Sequence, residues 1–276
     1  MGPIQPYFVF ATDKYQKSMV MQHGIVHVYH FFYTSDEFSK TSAIPDGCVD
    51  IFFKKDESGT HVQVCGTVLE RTELDYPKHN EYFGIRLMPG ELPSNLDVSL
   101  KELVENQVEL DQVIRNKDVV KRIEDSRDWQ ESVRLFIGDV LSTKAKRNAE
   151  TDEGKKKLAV GIRDAIINEK GVVQVSEIAE SLGYSPRYIN MVFGEYMGLS
   201  PKKFGKIMQL QETIQRINHE KSDFLTNVAL EAGYFDQAHF IRDFKKYILM
   251  TPTEYRALIR DSAYEKRISV EDMRFW

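Results

Sequence analysis

The 276-residue sequence predicts an α+β protein, mainly β in its N-terminal half and wholly helical in its C-terminal half. Three observations carry that prediction. Short runs of β-branched and aromatic residues, separated by Gly, Pro and Asp, fill the first hundred positions. Apolar residues recur at helical spacing from about Ser99 onward. A segment beginning at Val175 is repeated about 50 residues later. The composition, 42% hydrophobic and 29% charged, is that of a globular chain with material for one large or two ordinary domains.

In chain order, the opening MGPIQPYFVFATDK has no basic segment before its short apolar stretch, so it is a poor secretory signal. Pro6 breaks the lipidation pattern that Gly2 would begin. No apolar run approaches the roughly 20 residues of a membrane span, so no membrane contact is expected and a cytoplasmic location is. Cys48 and Cys65 are too few for a disulfide scaffold and read as reduced, buried thiols. The segments VHVYHFFY (26–33), VDIFF (49–53), HVQVCGTVL (61–69) and YFGIRL (82–87) read as strands of a small barrel or sandwich, β-rich to about residue 98.

The helical part opens with an apolar stripe formed by Trp129, Val133, Phe136, Ile137, Val140 and Leu141. Such a stripe must be buried, either on the strands or in a dimer. The polar stretch 142–157 has no apolar period and reads as a linker. It divides a sensor or dimerisation domain, 1–141, from a second domain, 158–260, with a tail at 261–276. The net charge of −5 is unevenly spread. Residues 154–260 hold 16 Lys and Arg against 12 Asp and Glu, net +4, whereas residues 1–153 hold 18 against 26, net −8. Only the second half suits a phosphate-bearing partner.

Within the repeat, Val175, Ile178, Ala179 and Leu182 match Leu225, Val228, Ala229 and Ala232, each set one face of a two-turn helix. Both helices stop at Gly-Tyr, Gly183-Tyr184 and Gly233-Tyr234, because glycine adopts the left-handed terminating conformation at little cost. A second helix follows, apolar through Ile189, Val192, Phe193 and Tyr196 in one copy and Phe240, Phe244 and Tyr247 in the other. Each copy is therefore a helix-turn-helix. The rings close a small core and leave Gln237, His239, Arg242, Lys245 and Lys246 on other faces. Gln, Arg and Lys are side chains that reach base edges or phosphates from a major-groove helix. The stripe Phe204, Ile207, Leu210, Ile214, Ile217 marks a connecting helix about 25 Å long, which could hold two reading helices one duplex turn apart.

IAESLGYSPRYINMVFGEYMGLSPKKF and ALEAGYFDQAHFIRDFKKYILMTPTEYR together make residues 154–260 resemble the DNA-binding domain of AraC-type transcriptional regulators. The resemblance implies seven helices and double-stranded DNA as partner. It places base reading on Arg187, Asn190 and Met191 in the first unit and on Gln237, Ala238, His239 and Arg242 in the second. Ser185, Lys202 and Lys245 are its phosphate contacts. The chain departs from the family at Met191, where many relatives carry Arg, and at Gly194-Glu195, where a basic pair usually begins. It departs again where Ile248-Leu249 precede Met250-Thr251-Pro252, since a Gly usually sits before the Thr-Pro. The first two imply weaker reading by the first unit and the third concerns packing. Activation of transcription, with RNA polymerase as a partner, is the family's commoner behaviour.

IPDGCVDIFF and YFGIRLMPG resemble a sensor module, broadly cupin-like, found before this domain in some members. By that resemblance it senses a small-molecule effector or mediates homodimer formation. Asp46 and Asp50 flank Cys48 and mark a candidate pocket. His23, His27, His30, His61 and His79 lie in this half, with His27 and His30 on opposite faces of one strand. They read as ordinary hydrogen-bonding histidines, with a metal cluster as the alternative. No Gly-rich phosphate loop, nucleophile elbow or paired-His motif appears, so no cofactor, metal or catalytic residue is expected. The function expected is therefore an effector-controlled regulator. The alternatives are an enzyme or DNA-repair protein fused to the same domain, which would need a Cys-rich metal site or a reactive-Cys motif, and a regulator controlled by protein contacts alone.

Overall fold

The computed structural model describes residues 3–12, 14–20, 24–32, 40–77, 80–141, 150–219 and 225–271. The β-rich part contains α1 (Pro6–Phe10), β1 (Tyr15–Met19), β2 (Ile25–Phe32), β3 (Lys40–Ala43), β4 (Asp50–Asp56), β5 (Gly59–Cys65), β6 (Thr72–Asp75) and β7 (Glu81–Leu87). Then come α2 (Leu100–Leu103), β8 (Gln107–Glu109), α3 (Leu110–Val113), α4 (Asp118–Glu124) and α5 (Trp129–Phe136), the last continuing as a π-helical turn, Ile137–Leu141. The helical half comprises α6 (Glu150–Asn168), α7 (Val175–Leu182), α8 (Pro186–Met197), α9 (Pro201–His219), α10 (Leu225–Glu231), α11 (Gln237–Ile248) and α12 (Pro252–Asp261). A tail adds α13 (Tyr264–Arg267) and β9 (Ile268–Val270). The helix α6 begins at Glu150, so the stretch 150–157, read as linker, is helical; residues 142–149 lie outside the described residues.

Seven strands form one sheet in the order β8-β5-β4-β7-β2-β1-β9, and β3 pairs with β6 in a separate ribbon. Alternation along β4 and β7 sends Ile51, Phe53, Phe83 and Ile85 to one face of the sheet and Asp50, Phe52, Tyr82 and Arg86 to the other. The first face is covered by Trp129, Val133, Phe136, Ile137 and Val140. Phe136 meets the Phe53 ring edge-on, with centroids 6.1 Å apart. That stripe is thus consumed inside the chain, and Val133 and Phe136 have no surface left for a dimer.

The second face is covered by α1, the ribbon and the helical half. One apolar cluster runs from Tyr29, Phe31 and Tyr82 on the sheet, through Tyr7, Phe8 and Phe10 of α1, to Leu210, Ile214, Phe240, Phe244 and Tyr255. Gln211 of α9 stitches the same boundary: its amide donates to the Pro45 carbonyl at 2.7 Å and accepts from the Ile4 N–H at 2.8 Å. Burying a Gln this way is tolerable because both ends of the amide are satisfied. The tail returns to the sheet, where β9 pairs in parallel with β1. Arg267 reinforces it by donating to the carbonyls of Phe10 and Thr12 at 3.2 and 2.7 Å. Met273, Phe275 and Trp276 lie outside the described residues.

Candidate nucleic-acid interface

The two helix-turn-helix units are built alike. Gly183 and Gly233 terminate α7 and α10 with φ of 70° and 75°. The next N–H, of Tyr184 or Tyr234, donates back to Ala179 or Ala229 at 2.9 and 3.0 Å. Each second helix then starts on a side-chain cap. Ser185 accepts from the Tyr188 N–H at 3.2 Å, and Asp236 accepts from the His239 N–H at 2.6 Å. Counting from these caps changes the register: Phe235 is an additional turn residue, and Arg187, Asn190 and Met191 correspond to Ala238, Ile241 and Arg242.

The structure places Arg187, Asn190 and Met191 on the exposed side of α8, and Gln237, Ala238, Arg242 and Lys245 on the exposed side of α11. Lys202 is exposed at the start of α9. Asn190 donates its amide to the Pro186 carbonyl at 2.8 Å. His239 differs from the others. Its ring lies edge-on to Tyr234 and its Nε2 is 3.3 Å from the Asp243 carboxylate. It occupies the position of Tyr188, which stacks on Tyr184, so this site packs the turn in both units. The Ser185 hydroxyl is likewise engaged as a cap. Ile241 is an exposed side chain that spacing from the glycines does not single out, and the exposed ring of Phe235 precedes the cap.

Glu195 pairs with Lys155 at 3.5 Å, which offsets the negative charge it brings to α8. The end of α8 also touches the β-rich half. A Cβ added at Gly198 would sit 2.8 Å from the Leu100 carbonyl oxygen, so α2 packs on this glycine with no room for a side chain. Ser99 and Lys101 line one side of a groove whose other side is Asn190, Met191 and Glu195.

Leu249 closes α11 at φ 61°, in the place Gly198 holds in the first unit. The departure at this position is therefore one of backbone conformation rather than packing, since the Leu249 side chain is 59% exposed. Leu249→Gly is expected to stabilise the protein by about 1 kcal/mol, whereas Leu249→Ala leaves the strain in place. Urea unfolding of the two variants checks this; equal midpoints would refute the strain.

A second site lies in the β-rich half, a cavity of about 320 Å³ between the sheet and the ribbon. Asp46 and Asp50 converge there on Arg86, which the sequence reading passed over. The Arg86 guanidinium donates to both Asp50 oxygens at 3.1 and 2.7 Å and lies 3.2 Å from an Asp46 oxygen. Gln5 and the Cys48 N–H also donate to Asp46, at 2.7 and 2.9 Å. Burial pushes the Asp50 carboxyl up while Arg86 pulls it down. Burial and the neighbouring Asp46 push the Cys48 thiol well up, which keeps it protonated and a poor nucleophile. An Arg interrupting an otherwise apolar strand, YFGIRL, was the available signal.

His27 and His30 do face opposite sides of β2. Burial lowers the His27 pKa, which favours the neutral ring. His30 stacks on Trp129 and bridges Gln16 and Glu81. His23 and His79 lie outside the described residues. Among the described residues no group of three or more His, Cys, Asp and Glu is arranged to hold a metal ion, and no helix is long and apolar enough to cross a membrane.

Paired helix-turn-helix units joined by one helix, each with an exposed second helix carrying amide and guanidinium groups, define a DNA-binding domain of transcriptional regulators. Residues 178–258 match a family described as a helix-turn-helix domain, the region whose motifs resemble the AraC type. Residues 13–109 match a domain of unknown function, DUF6597. The uncharacterized regulator YtdP of Bacillus subtilis is 29% identical over 168 residues, 60% of this chain and 20% of that protein. The probable transcription factor PqrA of Proteus vulgaris is 29% identical over 84 residues, 30% of this chain and 68% of that one. Among solved structures, ToxT of Vibrio cholerae is 12% identical, with a TM-score of 0.40 over 84% of this chain and 97% of that chain. An AraC-type regulator of Chromobacterium violaceum is 23% identical, with a TM-score of 0.33 over 40% of this chain and 96% of that one. The chain spans 20%, 27% and 11% of the length of the first three curated relatives it matches.

Proposed function

We propose that this protein is a sequence-specific, double-stranded-DNA-binding transcriptional regulator that acts by binding rather than catalysis, in the cytoplasm. The observation that carries the reading is the pair of helix-turn-helix units with exposed second helices. Base reading is assigned to Arg187, Asn190 and Met191 and to Gln237, Ala238 and Arg242, with Lys202 and Lys245 on phosphates. Binding to a selected duplex is expected to weaken steeply with salt, because phosphate neutralisation releases counterions. Arg242→Ala is expected to cost about 1–3 kcal/mol and relax preference at one base pair. Unchanged binding by Arg242→Ala and Gln237→Ala, measured by fluorescence anisotropy, would remove α11 from the interface.

We further assign effector control to the cavity. The segment 99–107 supports this assignment because it is shared. Glu105, Asn106 and Gln107 line the cavity, while Leu100 abuts Gly198 at the end of α8. Glu105 is left-handed at φ 56° and its N–H donates to the Thr67 carbonyl at 2.9 Å, a strained point on the cavity wall. The loop carrying Asp46 also reaches α9, through the Pro45–Gln211 hydrogen bond. A small molecule that binds the cavity in only one arrangement of these segments shifts the DNA-binding half accordingly. Activation through RNA polymerase and assembly as a homodimer belong to this proposal on family grounds alone. A thermal-shift screen on the full chain is expected to yield a stabilising compound whose effect is lost in the cavity-filling variant Leu74→Trp. Compounds that stabilise both proteins equally would place the effector elsewhere.

A further inference from the structure

We propose that the second recognition helix selects thymine through the C5-methyl group, using an apolar strip of Ala238 and Ile241 with Phe235 beside the helix start. This inference rests on the DNA-binding reading above. Ala238, Ile241, Arg242 and Lys245 are spaced i, i+3, i+4 and i+7, so they share the face opposite the core residues Phe240, Phe244 and Tyr247. Ile241 is 37% exposed and Phe235 is 88% exposed. Phe235 is left almost wholly in solvent, and Ile241 keeps more than a third of its surface open. The core on the far side of α11 is already closed by Phe240 and Phe244, both fully buried, and a β-branched residue on an open helix face gains nothing in propensity.

The surroundings specify the occupant. Arg242, Lys245 and Lys246 flank the strip, while the nearby acids are engaged, Asp236 as the helix cap and Asp243 with Lys206 at 3.0 Å. An apolar strip inside a cationic rim fits a polyanion that displays methyl groups, and the major-groove edge of an A·T pair is that surface. The corresponding positions of the first helix, Arg187, Asn190 and Met191, carry hydrogen-bonding groups at the first two sites. The two helices therefore read by different chemistry. Asn190 suits the donor and acceptor edge of adenine, and Ile241 suits the thymine methyl.

The test begins with duplexes selected from a random library by the full chain. Each thymine of the selected site is then replaced by deoxyuridine, which removes the methyl group and keeps every hydrogen bond. At one or more positions whose preference Arg242→Ala also disturbs, the replacement is expected to weaken binding about fourfold, the effect of one lost buried methyl. That penalty is expected to vanish in Ile241→Ala or Phe235→Ala, whose thermal midpoints serve as folding controls because both side chains are exposed. A site indifferent to deoxyuridine throughout, or a penalty undiminished in both variants, overturns the inference while leaving DNA binding intact. Failure to enrich any sequence overturns the DNA-binding reading itself and this inference with it.

Discussion

Arg86→Leu is expected to remove about 3–5 kcal/mol of folding stability, the cost of leaving buried charge uncompensated. Arg86 is only 3% exposed and is the cation between Asp46 and Asp50. Without it, two carboxylates face each other across a site that burial already makes unfavourable for the charged form of Asp50. The variant's folded state should therefore hold a carboxyl proton above the ordinary carboxylate range. A group with a raised folded pKa stabilises most at low pH and loses that contribution as pH rises through the folded value. The deficit of Arg86→Leu should accordingly be larger at pH 8 than at pH 5.5. Arg86→Lys keeps the charge but loses the bidentate fork, and an intermediate deficit is expected. Urea unfolding followed by far-ultraviolet circular dichroism measures all three. Wild-type stability for Arg86→Leu at pH 8 would show that the cluster contributes nothing to the fold.

Phe244→Ala is expected to cost about 3–5 kcal/mol, the range for a fully buried ring whose neighbours cannot collapse into the space. Phe244 is enclosed by Phe240 and Tyr255, with ring centroids 5.8 and 5.5 Å away. Its cluster continues through Ile214 and α1 to the sheet, so the damage should not stay in the helical half. Trp129 lies on the opposite face of that sheet and reports on the other half. In a Trp276→Phe background, which leaves Trp129 as the sole tryptophan, the fluorescence transition of Phe244→Ala is expected to move to lower urea together with the far-ultraviolet circular dichroism transition. A Trp129 transition that stays at the parent midpoint would mean that the shared core does not couple the halves.

The helix-turn-helix units were legible because their determinants are local. A glycine two turns into each first helix, a capping residue and a single apolar face suffice to specify a short helix, a stop and a second helix. Strands β2 and β7 were legible for a related reason: they are buried on both faces and read as long β-branched and aromatic runs, while β4 shows a buried Ile-Phe-Phe run and β5 an alternation of buried and more open residues. Strand β1, YQKSM, has no such run and exists because the edge of β2 and the returning tail both pair with it. The helix α1 was passed over for the same reason, since PYFVF is held by distant partners, with Phe8 against Phe31 of the sheet and Phe10 against Tyr264 of the tail. The short ribbon strands β3 and β6 carry little apolar signal of their own.

The candidate sites divide along the same line. Arg187, Asn190, Gln237 and Arg242 could be named from spacing, because a helix fixes which residues face outward. The partners of His239, the corresponding positions of Ile241 and Asn190, and the capping role of Ser185 depended on where each helix begins. Asp46 and Asp50 were visible four residues apart, yet the guanidinium that joins them comes from β7, 36 residues beyond Asp50.

By itself the sequence determined the α+β class, the repeated helix-turn-helix units and the basic half that carries them, all set by contacts a few residues apart. The tertiary structure alone decided that the two halves share one core, that α2 rests on the end of the first recognition helix and that the tail closes on β1. Those outcomes come from residues tens to hundreds of positions apart, and chain spacing carries no record of which buried surfaces will meet.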